Sequence, residues 1–167
     1  MDENVDTLIE SLSASLTDLL SDRNISNPAV IGIRTGGVWV AERLMDTVAS
    51  DDPMGELNIA FYRDDFSQIG MHPTVEPSRL PFDVDGRHLI LVDDILYTGR
   101  TVRAAMNEIF DYGRPASIIF VVLVDRSGRE LPIQADAVGT RMSLAANEHV
   151  KLLGPSELRL ELVEVGD

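Results

Sequence analysis

The sequence predicts an α/β fold, with a central, mostly parallel sheet covered by helices on both faces. Three observations carry this. The stretches Ala29–Ile33, His88–Val92 and Ser117–Val124 are almost continuously apolar, as strands buried on both faces are. Between and before them, apolar residues recur at the three- and four-residue spacing of a helix face. The first two of these strands also run through a glycine-bearing turn straight into a helix, the strand-helix alternation from which parallel sheets are built.

Taken in order, Val5, Leu8, Ile9, Leu12, Leu16, Leu19 and Leu20 define the first helix. Ala29–Ile33 is a short buried strand. Arg34-Thr35-Gly36-Gly37 then turns the chain into a second helix that places Val38, Ala41, Leu44, Met45 and Val48 inward. A strand is expected over Glu56–Tyr62. From Arg63 to Pro81 all periodicity lapses, and Gly70, Pro73, Pro77 and Pro81 mark a long irregular segment of a length that compact domains usually reserve for function. The strand His88–Val92 leads into a helix with Val102, Ala105, Met106 and Ile109 inward, followed by the strand Ser117–Val124. Weaker strands are expected near Ala135–Gly139 and Val150–Leu153. The alternating stretch Leu158–Val165 reads as an edge strand.

Composition narrows the class of protein. A chain of 167 residues is long enough for one domain with a real core, and a single domain over residues 1–167 is expected. No apolar run approaches the ~20 residues of a membrane span, and the acidic N-terminus lacks the form of a signal peptide. With no cysteine, disulfides and thiolate metal sites are excluded; a cytoplasmic protein is expected. Net charge is −14, from 28 acids against 14 bases, and Lys151 is the one lysine. Such acidity works against indiscriminate nucleic-acid binding.

The segment from His88 to Thr101 carries the chemistry. Asp93 and Asp94 stand at the carboxyl end of a buried strand, where ligands of open α/β sheets bind. Tyr97-Thr98-Gly99-Arg100-Thr101 then opens a helix, whose N-terminal N–H groups, with the hydroxyls of Thr98 and Thr101, suit a phosphate. Gly99 permits close backbone approach. The two carboxylates suit sugar hydroxyls and a divalent metal instead. Together they describe a phosphorylated sugar lying across a strand end; the bland alternative is a strand-turn-helix with an accidental acid pair.

This segment resembles the 5-phosphoribosyl-1-pyrophosphate (PRPP) signature of the type I phosphoribosyltransferases. The resemblance implies that fold, with a small hood (about residues 125–167 plus the N-terminal segment) and a flexible loop (about 63–81). It implies that Asp93 and Asp94 face the ribose hydroxyls and, through those hydroxyls or water, a Mg²⁺ ion. Thr98, Gly99, Arg100 and Thr101 would cradle the 5′-phosphate, with Tyr97 also in the PRPP-binding set. Arg34, Thr35, Gly36 and Gly37 would form the pyrophosphate loop, although relatives often carry a basic residue where Gly36 stands; an ordinary glycine turn is the competing reading. Arg63, in Tyr62-Arg63-Asp64-Asp65, would act from a loop that closes over substrate, unless that loop is merely a solvated charged one. Val124, Asp125, Arg126 and Arg129 would hold the base, or else the arginines and acids form surface ion pairs.

Within the family, purine-specific members place an aspartate where Tyr97 stands, as general acid/base at the purine ring. A phenol of pKa ~10 does not replace it readily, so a pyrimidine is expected. Four blocks in order, Tyr62–Asp65, Val92–Ala104, Asp111–Pro115 and Leu123–Ile133, make the chain similar to the bifunctional pyrimidine operon attenuation regulators/uracil phosphoribosyltransferases. That subgroup implies UMP synthesis from uracil and PRPP, UMP-stimulated binding of a leader RNA, and a homodimer or larger assembly. Residues 1–23 oppose the RNA role: six acids against Arg23 give a net of −5, where RNA affinity needs clustered cations. Weakened or lost RNA attenuation is therefore expected, with a non-catalytic PRPP or UMP sensor as the alternative to the enzyme. A folded patch gathering Arg103, Arg114 and Lys151 would be the exception.

Overall fold

The computed structural model describes residues 3–59 and 77–166. Arg63, the strand residues expected at 60–62 and most of the expected flexible loop lie outside the described residues. The elements are α1 (Val5–Asp22), β1 (Ala29–Ile33), α2 (Gly36–Leu44), β2 (Gly55–Leu57), β3 (His88–Leu96), α3 (Arg100–Tyr112), β4 (Ser117–Arg126), β5 (Ala137–Met142), β6 (Glu148–Leu153) and β7 (Arg159–Glu164). No described helix is long and apolar enough to cross a membrane.

Five strands form one sheet in the order β2-β1-β3-β4-β5, every pair parallel. Period-two alternation divides their side chains between two cores. Val30, Ile90, Val92, Ile119, Val121 and Leu123 face one side, where Leu12 and Leu16 of α1 and Val40, Ala41 and Leu44 of α2 pack. Ile31, Ile33, Leu89, Leu91, Phe120 and Val122 face the other, covered by Val102, Ala105 and Ile109 of α3. Both faces are thus dry, which is why these strands read as apolar runs.

β3 runs to Leu96, four residues beyond the apolar run, so Asp93 and Asp94 lie within the strand. β1 stays beside β3 only as far as Gly32 opposite Val92, whereas β4 continues alongside to Asp125 opposite Leu96. The acids therefore occupy the stretch where β3 outruns one neighbour and is supported by the other. β2 ends at Leu57, so residues 58 and 59 of the expected strand lie outside it. β1 ends at Ile33, and the N–H of Arg34 makes the last contact, to the Leu57 carbonyl.

The segment expected as the hood, about residues 125–167, divides between two sheets. β5 belongs to the main sheet, and only the antiparallel hairpin β6–β7 stands apart. Leu158–Val165, expected as an edge strand, is β7 of that hairpin. Val150, Leu152 and Leu158 join the core beneath α1 and α2, so the hairpin is fastened to the sheet by burial, not hung on a linker.

Candidate functional site

A cleft of about 590 Å³ opens at the carboxyl end of the sheet, lined by Thr35, Gly36, Trp39, Asp93, Asp94, Ile95, Tyr97, Thr101 and residues 149–153 of β6. Its floor is the acid pair. Asp93 is 3% exposed, and its Oδ1 accepts the N–H of Asp94 at 2.9 Å. Asp94 is half-buried, and its Oδ1 accepts the N–H of Ile95 at 2.9 Å. Both carboxylates are thus held by their own strand in fixed orientations.

Beside the cleft, Asp93 and residues 95–102 enclose a hollow of about 110 Å³, a size suited to a phosphate group. Gly99 adopts φ +95°, which an L side chain takes only at a cost, and it sets the first turn of α3 facing this hollow. The N–H groups of that turn have no carbonyl partners within the helix. The Thr98 carbonyl accepts the N–H groups of Glu130 and Leu131, at 3.0 and 3.1 Å, so the turn is braced from behind. Arg100 reaches outward to Glu130 at 2.8 Å.

The turn after β1 meets the acid pair from the other side, and the Arg34–Thr35 peptide bond there is cis. A Cβ on Gly37 would lie 2.6 Å from the Val92 carbonyl oxygen, and one on Gly36 would lie 2.1 Å from Asp94 Oδ2. Gly37 is therefore required by the close approach of α2 to β3, and Gly36 leaves room for the Asp94 carboxylate where it stands. Arg34 is paired away from the cleft: its Nε and Nη2 donate to Glu56 Oε2, at 2.8 and 2.5 Å, and it does not line the cleft.

None of the four residues expected at the base lines this cleft. Val124 is fully buried in the core, because its side chain points into the sheet face. Asp125 accepts from Arg129 Nη2 at 2.5 Å. Arg129 also donates to the carbonyls of Ile133, at 2.8 Å, and Tyr97. Arg126 is buried and donates to backbone carbonyls. Asp125, Arg126 and Arg129 line hollows behind the cleft, not the cleft itself.

In their place the cleft wall is β6, which has β7 as its strand partner among the described residues. The N–H of Val165 donates to the Asn147 carbonyl, so with Glu148 opposite Glu164 the ladder alternates. His149 and Lys151 exchange bonds with β7, while Glu148, Val150 and Leu152 turn their backbone groups the other way. The Glu148 carbonyl is taken by Arg126 at 2.7 Å. Val150 and Leu152 consequently offer N–H donors and C=O acceptors to the cleft. Trp39, His149, Lys151 and this strand edge were missed from sequence. The lone tryptophan and lone lysine were the signals available.

The phosphoribosyl transferase domain family matches residues 3–152. The chain belongs to this family. Two relatives, each called bifunctional protein PyrR, are similar over nearly the whole chain. The one from Nitrosococcus oceani is 60% identical, covering 95% of this chain and 91% of its own. The one from Pseudomonas fluorescens is 56% identical, covering 97% and 96%. Among solved structures, a hypoxanthine-guanine phosphoribosyltransferase from Bacillus anthracis superposes with a TM-score of 0.68 at 19% identity, over 88% of this chain and 84% of its own. The fold is thus the type I phosphoribosyltransferase fold.

Proposed function

We infer that this cleft is where the chain makes UMP. The chain is a uracil phosphoribosyltransferase of the pyrimidine operon regulator type: uracil and PRPP give UMP and pyrophosphate. The observation that carries the assignment is the acid pair and the phosphate-sized hollow sharing one cleft with the edge of β6.

The 5′-phosphate sits in the hollow at Thr98–Thr101, against the first turn of α3. The ribose hydroxyls donate to Asp93 and Asp94. The pyrophosphate lies by the turn Thr35–Gly37, and Arg34 contributes only by leaving Glu56. Uracil presents one donor flanked by two acceptors on its imide edge, which complements the alternating C=O and N–H groups of Val150 and Leu152. Its N1, losing its proton, attacks the anomeric carbon as the C–O bond to pyrophosphate breaks. Positive charge developing on the ribose is stabilised by the neighbouring carboxylates, so most catalysis is positioning and electrostatics. Arg63 is proposed to act from the loop that closes over this site and excludes water.

No group of three or more potential ligands that could hold a metal occurs among the described residues. This suits Mg²⁺, which is commonly held by one or two carboxylates together with substrate phosphates; Asp93 and Asp94 are the fitting donors. When bound, Mg²⁺ would neutralise charge on the departing pyrophosphate.

We further propose a single cytoplasmic domain working as a homodimer or larger homo-oligomer, with exposed Phe110 and Tyr112 of α3 available to an interface. RNA attenuation is proposed to be weak or lost. Asp6, Glu10, Asp18 and Asp22 are all exposed on α1. Arg103 lies in the first turn of α3 and Arg114 beyond its C-terminal end, while Lys151 is in the cleft wall.

The test is UMP formation from uracil and PRPP with Mg²⁺, with hypoxanthine, guanine and orotate in parallel. Turnover of uracil alone is expected. No turnover of any base, despite PRPP or UMP binding, would make the chain a nucleotide sensor on this fold.

A further inference from the structure

We infer that Arg126 is a positioning residue that sets the spacing between the base edge of β6 and the 5′-phosphate turn, an inference resting on the ligand placement proposed above. Arg126 ends β4 and is 3% exposed. Its Nη1 donates to the Glu148 carbonyl at 2.7 Å, Nη2 to Ala145 at 3.4 Å and Nε to Ser127 at 3.1 Å. The first bond seizes the cleft-side edge of β6 two residues before Val150. The guanidinium also lies 3.8 Å from the centroid of the Tyr97 ring, and Tyr97 opens the phosphate turn.

One side chain therefore touches both half-sites, while itself lining neither the cleft nor the phosphate hollow. The ring is backed by Gly128, whose φ is +116° and where a Cβ would stand 2.4 Å from Tyr97 Cε2. Tyr97 thus lies under a guanidinium and is closely approached by Gly128, with its carbonyl fixed by Arg129. Only arginine supplies a fork of donors and a flat stacking face at once; a lysine offers a single ammonium. Burying a cation is costly unless polar partners surround it. Here they are three carbonyl oxygens and an aromatic face, all belonging to segments that must stay in register.

UMP spans both half-sites, phosphate in the turn and base on β6. Ribose 5-phosphate occupies only one. Loss of the brace should therefore weaken the spanning ligand selectively, which a general loss of stability would not do. Titration calorimetry of UMP and ribose 5-phosphate against the full chain tests this. Arg126→Met is expected to bind UMP at least tenfold more weakly and ribose 5-phosphate within threefold of the unsubstituted chain. Arg126→Lys, keeping one donor for the Glu148 carbonyl, should recover part of the loss.

Equal weakening of both ligands, or of neither, would overturn the assignment. Should Arg126→Met not fold, Arg126→Gln makes the same test, because it keeps amide donors for the carbonyls and removes the cation from over the Tyr97 ring. The same selective loss is expected, and an unselective one refutes the brace. An unsubstituted chain that binds UMP no more tightly than ribose 5-phosphate would instead overturn the placement of the base on β6, and this inference with it.

Discussion

Replacing Gly36 by alanine tests how closely the pyrophosphate turn and the acid pair are fitted. The new Cβ would stand 2.1 Å from Asp94 Oδ2 and 2.6 Å from its Cγ, where ordinary contact begins at 3.4 Å. The carboxylate must retreat by about 1.3 Å to restore that contact, and in doing so it loses the Ile95 N–H that now holds it at 2.9 Å. That bond is worth about 1 kcal/mol net, while alanine in place of glycine in a helix returns about 0.5–1 kcal/mol. Thermal stability should therefore change little. Activity should not be spared, because a misplacement of ~1 Å at a reacting centre costs on the order of 100-fold, or ~2.7 kcal/mol in the barrier. Steady-state UMP formation with PRPP varied, alongside thermal unfolding, reads both quantities. A variant that keeps kcat/KM for PRPP within threefold would refute the reasoning, since the Asp94 carboxylate would then not be where the ribose needs it.

Other substitutions separate the roles of particular residues. Asp94→Asn should leave the protein folded and lower turnover by more than ~100-fold, as loss of a charge aimed at the reacting centre does; normal activity would contradict the ribose assignment. Leu12→Ala, at a fully buried position of α1, should cost about 2–5 kcal/mol in urea unfolding without altering KM for either substrate in the folded protein. Arg34→Met breaks the pair with Glu56, and because both side chains are partly exposed the loss should be about 1 kcal/mol. A tenfold rise in KM for PRPP in that variant would show that the guanidinium leaves Glu56 for the pyrophosphate. Leader RNA should not bind tightly at ~0.15 M salt, with or without UMP; tight, UMP-dependent binding in a filter assay would overturn the charge argument.

Much of the candidate site's layout was legible because its residues are local in sequence. Asp93, Asp94, Thr98, Gly99 and Thr101 lie within nine residues of one another, and a strand, a turn and a helix N-terminus dictate their relative placement almost unaided. The pairing of Arg34 with Glu56 was not legible, because it depends on β2 lying beside β1. The full burial of Val124 was not legible because β4 runs on past it to Arg126, and it packs into the same core as Leu123. Arg126 and Arg129 look alike in sequence as candidate ligands, yet their donors are spent on carbonyls of Glu148, Ala145 and Ile133, which only folding brings near.

The amino-acid sequence by itself determined the layered parallel sheet, the two helical faces and the acid-pair and phosphate-turn chemistry. Hydrophobic periodicity and short-range turn geometry act over a few residues and need no knowledge of distant partners. Only the tertiary structure decided what opposes that pair: the edge of β6, the ring of Trp39, and the Arg126 brace that ties β6 to Tyr97. Those contacts join residues tens of positions apart, and which backbone groups face the cleft follows from hairpin register, which the pairing of β6 with β7 sets.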